Sequence, residues 1–448
     1  MSLDHLPVME AFPRPEGLAR LPDRLARLKM ARPLGYVTQV AGTTLRVRFR
    51  RLGLGNVCRL ASGEARGTLA QVIALDDEVA TLSVMGDAAQ IRIFDRVESV
   101  STGFDFEFHE TLKGAIVDGF GRPVDGVRAE GAVKRQILGK ETVALDRPVI
   151  KWPFETGVPA IDGFITLGRG QRIALFGSPG CGKSTLISQF LTSCRADVIV
   201  LALVGERGRE VQEFLQTHMT PEVRARTVLV VATSDRPALE RYYAAHTASS
   251  IAEGFRDLGQ NVLLLVDSLT RVARALREIG LSTGEPAVRR GYPASVYPAL
   301  PRIIERAGRG TSGDITAIYS VLVEGDSHTD PISDEIKSLT DGHIELSRDL
   351  ASEGLYPAID VVKSISRVMP QVVNREHQSL AAKGRRLLAK YDELKLLIQI
   401  GEYQRGGDPV ADEAVDKIEK LRDVVHHSSR PDATASRNIA ARLRKALG

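Results

Sequence analysis

Eight residues constrain this chain more than any others. Gly177-Ser178-Pro179-Gly180-Cys181-Gly182-Lys183-Ser184 match the pattern G-x-x-x-x-G-K-[ST] at every fixed position. The apolar run Ile173-Ala174-Leu175-Phe176 precedes them, and a helical pattern from Thr185 to Leu191 follows. Strand, glycine-rich turn and helix in that order make a cradle for an anion. The glycines let the backbone wrap closely with successive N–H groups pointing inward. The helix N-terminus adds partial positive charge. The expectation is a nucleotide-phosphate site from Gly177 to Thr185. In it Lys183 reaches the β- and γ-phosphates and Ser184 ligates Mg²⁺. Cys181 reads as a small loop residue, open to alkylation.

The 448 residues suggest two to four domains, and 43% hydrophobic against 26% charged residues exclude a mostly disordered chain. A net charge of +4 singles out neither nucleic acid nor a membrane as the main partner. Cys58, Cys181 and Cys194 have no zinc spacing and cannot build a disulfide framework, which points to a reducing compartment. No apolar run has signal-peptide or membrane-spanning length, so a cytoplasmic location is expected.

Three periodicities follow one another along the chain. Residues 1–34 hold a proline-rich arm and a leucine stripe, Leu18, Leu21, Leu25 and Leu28, among arginines. The stripe reads as a helix docked on its own domain, or as a basic docking element for a partner or an anionic lipid surface. Residues 35–105 alternate with period two, as in Leu45-Arg46-Val47-Arg48-Phe49-Arg50, Val79 to Val84 and Ile91-Arg92-Ile93. That pattern predicts a small β-barrel or sandwich with the arginines on its solvated face. From 106 to 372, buried-strand runs (Ile173 to Phe176, Val198 to Val204, Val228 to Val231, Val262 to Val266, Ile315 to Leu322) alternate with helical stretches. This is the signature of a parallel sheet covered on both faces. From 373 to 448, long helical patterns such as Leu380 to Ile400 and Asp412 to His426 predict a helical domain.

Two acids belong with the phosphate loop. Val262-Leu263-Leu264-Leu265-Val266-Asp267 delivers Asp267 at the carboxyl end of a buried strand, where open α/β sheets bind ligands and an acid holds the metal shell. Glu206, in Val204-Gly205-Glu206-Arg207-Gly208-Arg209-Glu210, reaches the same edge. There it either polarises the water that hydrolysis needs or belongs to a surface salt-bridge cluster.

These features stand in the same order in the rotary ATP synthase superfamily, with Lys113-Gly114-Ala115-Ile116-Val117-Asp118-Gly119-Phe120-Gly121-Arg122-Pro123-Val124-Asp125-Gly126 before them. More narrowly, the chain resembles the ATPases of type III protein export systems. Gly284-Glu285-Pro286, Arg289 to Val296, Leu300-Pro301-Arg302, Glu305 to Gly308, Asp341 to Ile344, Ser347-Arg348 and Tyr356 to Asp360 carry the likeness, which runs from about residue 35 to 425. It implies a RecA-like P-loop ATPase core with an N-terminal β-barrel and a C-terminal helical domain. Carried over by position, it implies that Glu206 is the catalytic glutamate, with Arg207 beside it. Arg271 matches an arginine near the γ-phosphate and Tyr356 an aromatic on adenine. Arg367 matches an arginine finger supplied to the neighbouring subunit, in a homohexamer using ATP and Mg²⁺. The implied partners are stator or regulator and stalk proteins of the export apparatus, chaperone–substrate complexes and the inner-membrane surface, where the protein would sit peripherally, with no nucleic acid. Two positions depart from the family: Ser327 replaces the second acid of Glu324-Gly325-Asp326-Ser327, and Glu345 stands where an apolar residue is usual. The rival readings are a rotary synthase catalytic subunit, an RNA-translocating hexamer and a nucleotide-binding subunit that does not hydrolyse. Against them stand the lack of an acidic run from Leu396 to Gly407, the few aromatics (5%) and Glu206, respectively.

Overall fold

The structure, a computed structural model, describes residues 34–124, 131–139, 147–323, 330–426 and 438–448. The leucine stripe and the Glu324-to-Ser327 stretch lie outside the described residues. Six strands close a barrel: β1 (Leu34–Ala41), β2 (Thr44–Arg48), β3 (Val57–Leu60), β4 (Leu69–Asp76), β5 (Val79–Met85) and β6 (Arg96–Ser101), in the order β1-β2-β5-β4-β3-β6. The alternation in β2 does what its period dictates. Leu45, Val47 and Phe49 are buried while Arg46, Arg48 and Arg50 face solvent. The expected continuation at Ile91 to Ile93 is not a strand. Asp95 accepts the Arg92 N–H at 2.9 Å and Phe94 turns the chain with a φ of 72°, so Ile91 is buried and Ile93 exposed.

The core sheet contains β7 (Ile116–Asp118), β8 (Arg172–Gly177), β9 (Val198–Val204), β10 (Thr227–Ala232), β11 (Asn261–Asp267), β12 (Asp314–Leu322), β13 (Gly342–Glu345) and β14 (Ile365–Ser366). Their order is β14-β13-β8-β12-β11-β9-β10-β7, parallel from β13 to β7, with β14 antiparallel at the edge. Every residue of β9 is buried, as a strand covered on both faces requires. Val198, Val200, Ala202 and Val204 pack into one cluster, and Ile199, Leu201 and Leu203 into the other. Helix α1 (Lys183–Ser193) leaves the phosphate loop, and α2 (Gly208–His218) follows β9. Helices α3 (Ala238–Asp257), α4 (Leu269–Ser282) and α5 (Val296–Ile304) contribute Ala244, Val272 and Leu300 to the first cluster.

The helical end comprises α6 (Arg375–Gln399), α7 (Pro409–Val425) and α8 (Ile439–Leu447). Asn374 caps α6 by accepting the His377 N–H at 2.9 Å, and Asp408 caps α7 through Val410 at 2.8 Å, with Pro409 in the first turn. These helices have no core of their own. Leu421, Ile439 and Leu443 share the second cluster with Ile161 and Phe164. The barrel joins the core through Gln71, whose Nε2 donates to the buried Tyr243 hydroxyl at 2.6 Å. No helix among the described residues is long and apolar enough to cross a membrane.

Candidate active site

The carboxyl ends of β8, β9 and β11 converge, and each delivers one part of the site. Strand β8 runs into the loop, where Gly180 and Gly182 adopt φ of 84° and 80°, left-handed values that glycine takes without strain. Gly182 is the N-cap of α1. A Cβ on it would lie 3.2 Å from Tyr356 Cε1, so the Tyr356 ring lies directly against the loop. That ring is 39% exposed, leaving a face for a ligand. Ser178 is half-buried, and Pro179, Gly180, Ser184 and Thr185 are exposed. Cys181 is not: at 1% exposed it packs beneath the loop, so the expectation of a thiol open to alkylation is corrected. Cys58, Cys181 and Cys194 are all free and buried.

Lys183 Nζ forms an ion pair with Asp267 Oδ1, and both side chains are nearly buried. A buried pair of this kind holds the lysine head against the acid at the edge of the loop. Next to it, Arg271 Nη2 donates to Glu206 Oε2 at 2.9 Å, and Nη1 donates to the Gly205 carbonyl. Gly205 turns β9 outward with a φ of 67°, and a Cβ there would meet Arg271 Cδ at 3.0 Å. Burial, and then the charge of Asp267, push the Glu206 carboxyl up to about 7 against the pull of Arg271 and Lys183. Glu206 is therefore no member of a solvated salt-bridge cluster.

The other two expected site arginines lie elsewhere. Arg207 caps α2, its side chain 80% exposed and paired with Glu210 at 3.5 Å. It is not brought to the cluster, because the turn at Gly205 sends Glu206 inward and the next side chain out. Arg367 lies at the opposite end of the sheet. Its N–H donates to the Asp341 carbonyl at 3.0 Å, and Asp341 in turn donates its N–H to Arg172, the first residue of β8. About 16 Å of strand separates that end from the phosphate loop. Arg367 is exposed, and its side chain makes no hydrogen bond or ion pair among the described residues.

The residues present fit a magnesium–nucleotide complex. The loop is a glycine cradle that Cβ atoms would fill, Lys183 stands in it, and Arg271 Nε is buried with no hydrogen-bond partner among the described residues. Ser184 and Asp267 offer hard oxygen donors of the kind Mg²⁺ takes. Among the described residues, no group of three or more His, Cys, Asp or Glu could hold a metal by itself.

Comparison with known proteins decides the family. The nucleotide-binding domain of the ATP synthase alpha/beta family matches residues 157–366, and the beta-barrel domain of that family matches 37–100. The C-terminal domain of the T3SS EscN ATPase matches 373–441. A type 3 secretion system ATPase of Xanthomonas euvesicatoria is 46% identical over 406 residues, 89% of this chain and 91% of the relative. The chain belongs to the type III secretion ATPase family. It is an ATPase with the α/β core, barrel and helical end that the family resemblance implied. The flagellum-specific ATP synthase of Bacillus subtilis is 40% identical over 91% of this chain and 94% of the relative. Among solved structures, the assembled ATPase EscN of enteropathogenic E. coli superposes with a TM-score of 0.87 at 42% identity, over 92% of this chain and all of that one. The same ATPase in complex with its central stalk EscO gives 0.85.

Three features of the site were missed by sequence reasoning: the Lys183–Asp267 pair, the Arg271–Glu206 pair and a hydroxyl beneath Asp267.

Proposed function

We propose that this ATPase hydrolyses Mg²⁺-ATP to energise type III protein export, releasing and unfolding chaperone-bound substrates, as a homohexameric ring at the inner-membrane export apparatus. The observation that carries the chemistry is the single cluster in which Lys183, Asp267, Arg271 and Glu206 meet at one sheet edge. In this reading the backbone from Gly177 to Thr185 and Lys183 hold the phosphates, and Tyr356 stacks on the base, a contact worth about 1–3 kcal/mol. Ser184 and Asp267 would hold Mg²⁺, which when bound neutralises charge on the phosphate oxygens. Glu206, as carboxylate, orients the attacking water.

The finger is the second element of the reading. Arg367 cannot reach its own loop from the far end of the sheet. In a head-to-tail ring it serves a neighbour, and the assembled EscN structure supports such an assembly. The central stalk seen with EscN supports a stalk partner here, and the C-terminal match supports export over rotary synthesis. Stator proteins, the membrane surface and a cytoplasmic location complete the proposal. The test is Glu206→Gln, which should abolish turnover while nucleotide binding, read with a fluorescent ADP analogue, stays within about threefold. Near-normal turnover would remove Glu206 from the mechanism.

A further inference from the structure

We infer that Ser320 is a positioning residue for the metal-binding acid. The inference rests on the reading of Asp267 given above. Strand β12 lies between the loop strand β8 and the acid strand β11, with Ser320 opposite Leu175. The neighbouring pair Val266 and Tyr319 on β11 and β12 sets Ser320 beside Asp267. The stretch from Ile315 to Leu322 carries three buried hydroxyls: Thr316 Oγ1 accepts the Gly170 N–H at 3.0 Å, Tyr319 donates to the Ile304 carbonyl at 3.3 Å, and Ser320 alone of the three turns to the site. Ser320 is 2% exposed, and its Oγ donates to Asp267 Oδ1 at 2.5 Å.

That same oxygen, Oδ1, receives Lys183 Nζ. The other carboxylate oxygen, Oδ2, has no hydrogen-bond partner among the described residues. Two donors on one oxygen fix the rotation of the carboxylate about its Cβ–Cγ bond and leave Oδ2 aimed away from them. When nucleotide binds, Lys183 must leave Asp267 to reach the phosphates. Without a second donor, the buried carboxylate would then be free to rotate, with one oxygen desolvated and unpaired. Ser320 remains on Oδ1 through that exchange. It keeps Oδ2 in place for the metal's water shell while the lysine changes partner. Orienting partners of this kind typically change metal affinity by 10–100-fold when removed.

Three chains test this: Ser320→Ala, Ser320→Thr and Asp267→Ala. Binding of a fluorescent ADP analogue is measured at equilibrium, first in EDTA and then across a Mg²⁺ titration. Ser320→Ala should bind the analogue normally in EDTA, need about tenfold more Mg²⁺ for half-maximal enhancement, and show the same shift in the Mg²⁺ dependence of hydrolysis. Ser320→Thr restores the hydroxyl and should bring the midpoint back to within about threefold of the parent. Asp267→Ala should lose the Mg²⁺ enhancement. If Asp267→Ala keeps it, the reading of Asp267 itself is wrong. If Asp267→Ala loses it but Ser320→Ala titrates like the parent, the positioning role is refuted. An EDTA-binding loss in Ser320→Ala, or a shift that Ser320→Thr fails to reverse, would assign Ser320 to packing and overturn the inference.

Discussion

Replacing Arg271 by glutamine should move the pH dependence of hydrolysis toward alkali. The parent carboxyl of Glu206 sits at about 7 because it is buried beside Asp267, and Arg271 at 2.9 Å exerts the larger of the two opposing pulls. With that value, about 9% of Glu206 is ionised at pH 6 and about 91% at pH 8. If the carboxylate is the form that orients water, kcat/KM rises about tenfold across those two units, with its midpoint near 7. A guanidinium in contact with a carboxylate near a protein surface interacts by at most about 4 kcal/mol. Partial exposure of the pair reduces this to about 1–2 kcal/mol, or roughly one unit of pKa. The Arg271→Gln midpoint should therefore move up by about one unit, apart from any fall in the plateau. The assay is steady-state hydrolysis at low ATP from pH 5.5 to 9, with Mg²⁺ in excess throughout. A midpoint that stays put, or moves toward acid, refutes the assignment of the titrating group.

Other perturbations separate the site from its scaffold. Glu206 is an acid whose folded pKa is raised, so it costs stability at pH values above about 7 and nothing below about 4.5. Thermal midpoints of Glu206→Gln relative to the parent should thus improve as pH rises from 5 to 8; a constant difference would contradict the raised value. Arg306 makes a bidentate, nearly buried pair with Glu253 at 2.7 and 2.8 Å, and Arg306→Met should cost about 3–5 kcal/mol in urea unfolding. A loss under 1 kcal/mol would mean that Glu253 finds other partners. Native Cys181 should resist alkylation and react at the rate of a free thiol only in denaturant; fast modification of the folded protein would show that the loop opens.

Much of this was legible in the sequence, for reasons tied to local pattern. The loop from Gly177 to Ser184 carries its structure in its glycines, and Asp267 announces itself at the end of an apolar run. Period two in Leu45 to Arg50 fixed which side chains fill the barrel. The same period misled at Ile91 to Ile93, where a local turn, closed by Asp95 accepting the Arg92 N–H, bends the chain. Contacts between distant segments left no local trace. The pairing of Arg271 with Glu206 and of Gln71 with Tyr243 needs the sheet order before it can be seen. Ser320 did leave a signal, as a hydroxyl inside a strand buried on both faces, because such a group has to find a partner. That Arg207 pairs with Glu210 while Glu206 turns inward could not be read either, because adjacent residues after a turn point to different sides.

The central claim is that each copy completes its neighbour's site, and mixing tests it most directly. Arg367→Ala chains keep an intact phosphate loop, and Lys183→Ala chains keep an intact finger. Each alone should be nearly inactive, Arg367→Ala by the roughly 10³–10⁵-fold that a trans arginine contributes in related phosphoryl transfers, and Lys183→Ala because its loop has lost the lysine that holds the phosphates. Co-assembled in equal amounts, they should recover up to about a quarter of parental ATP hydrolysis, since with random mixing roughly one head-to-tail interface in four joins a good loop to a good finger. No recovery in mixtures shown to co-assemble, or full activity of Arg367→Ala alone, would contradict the account.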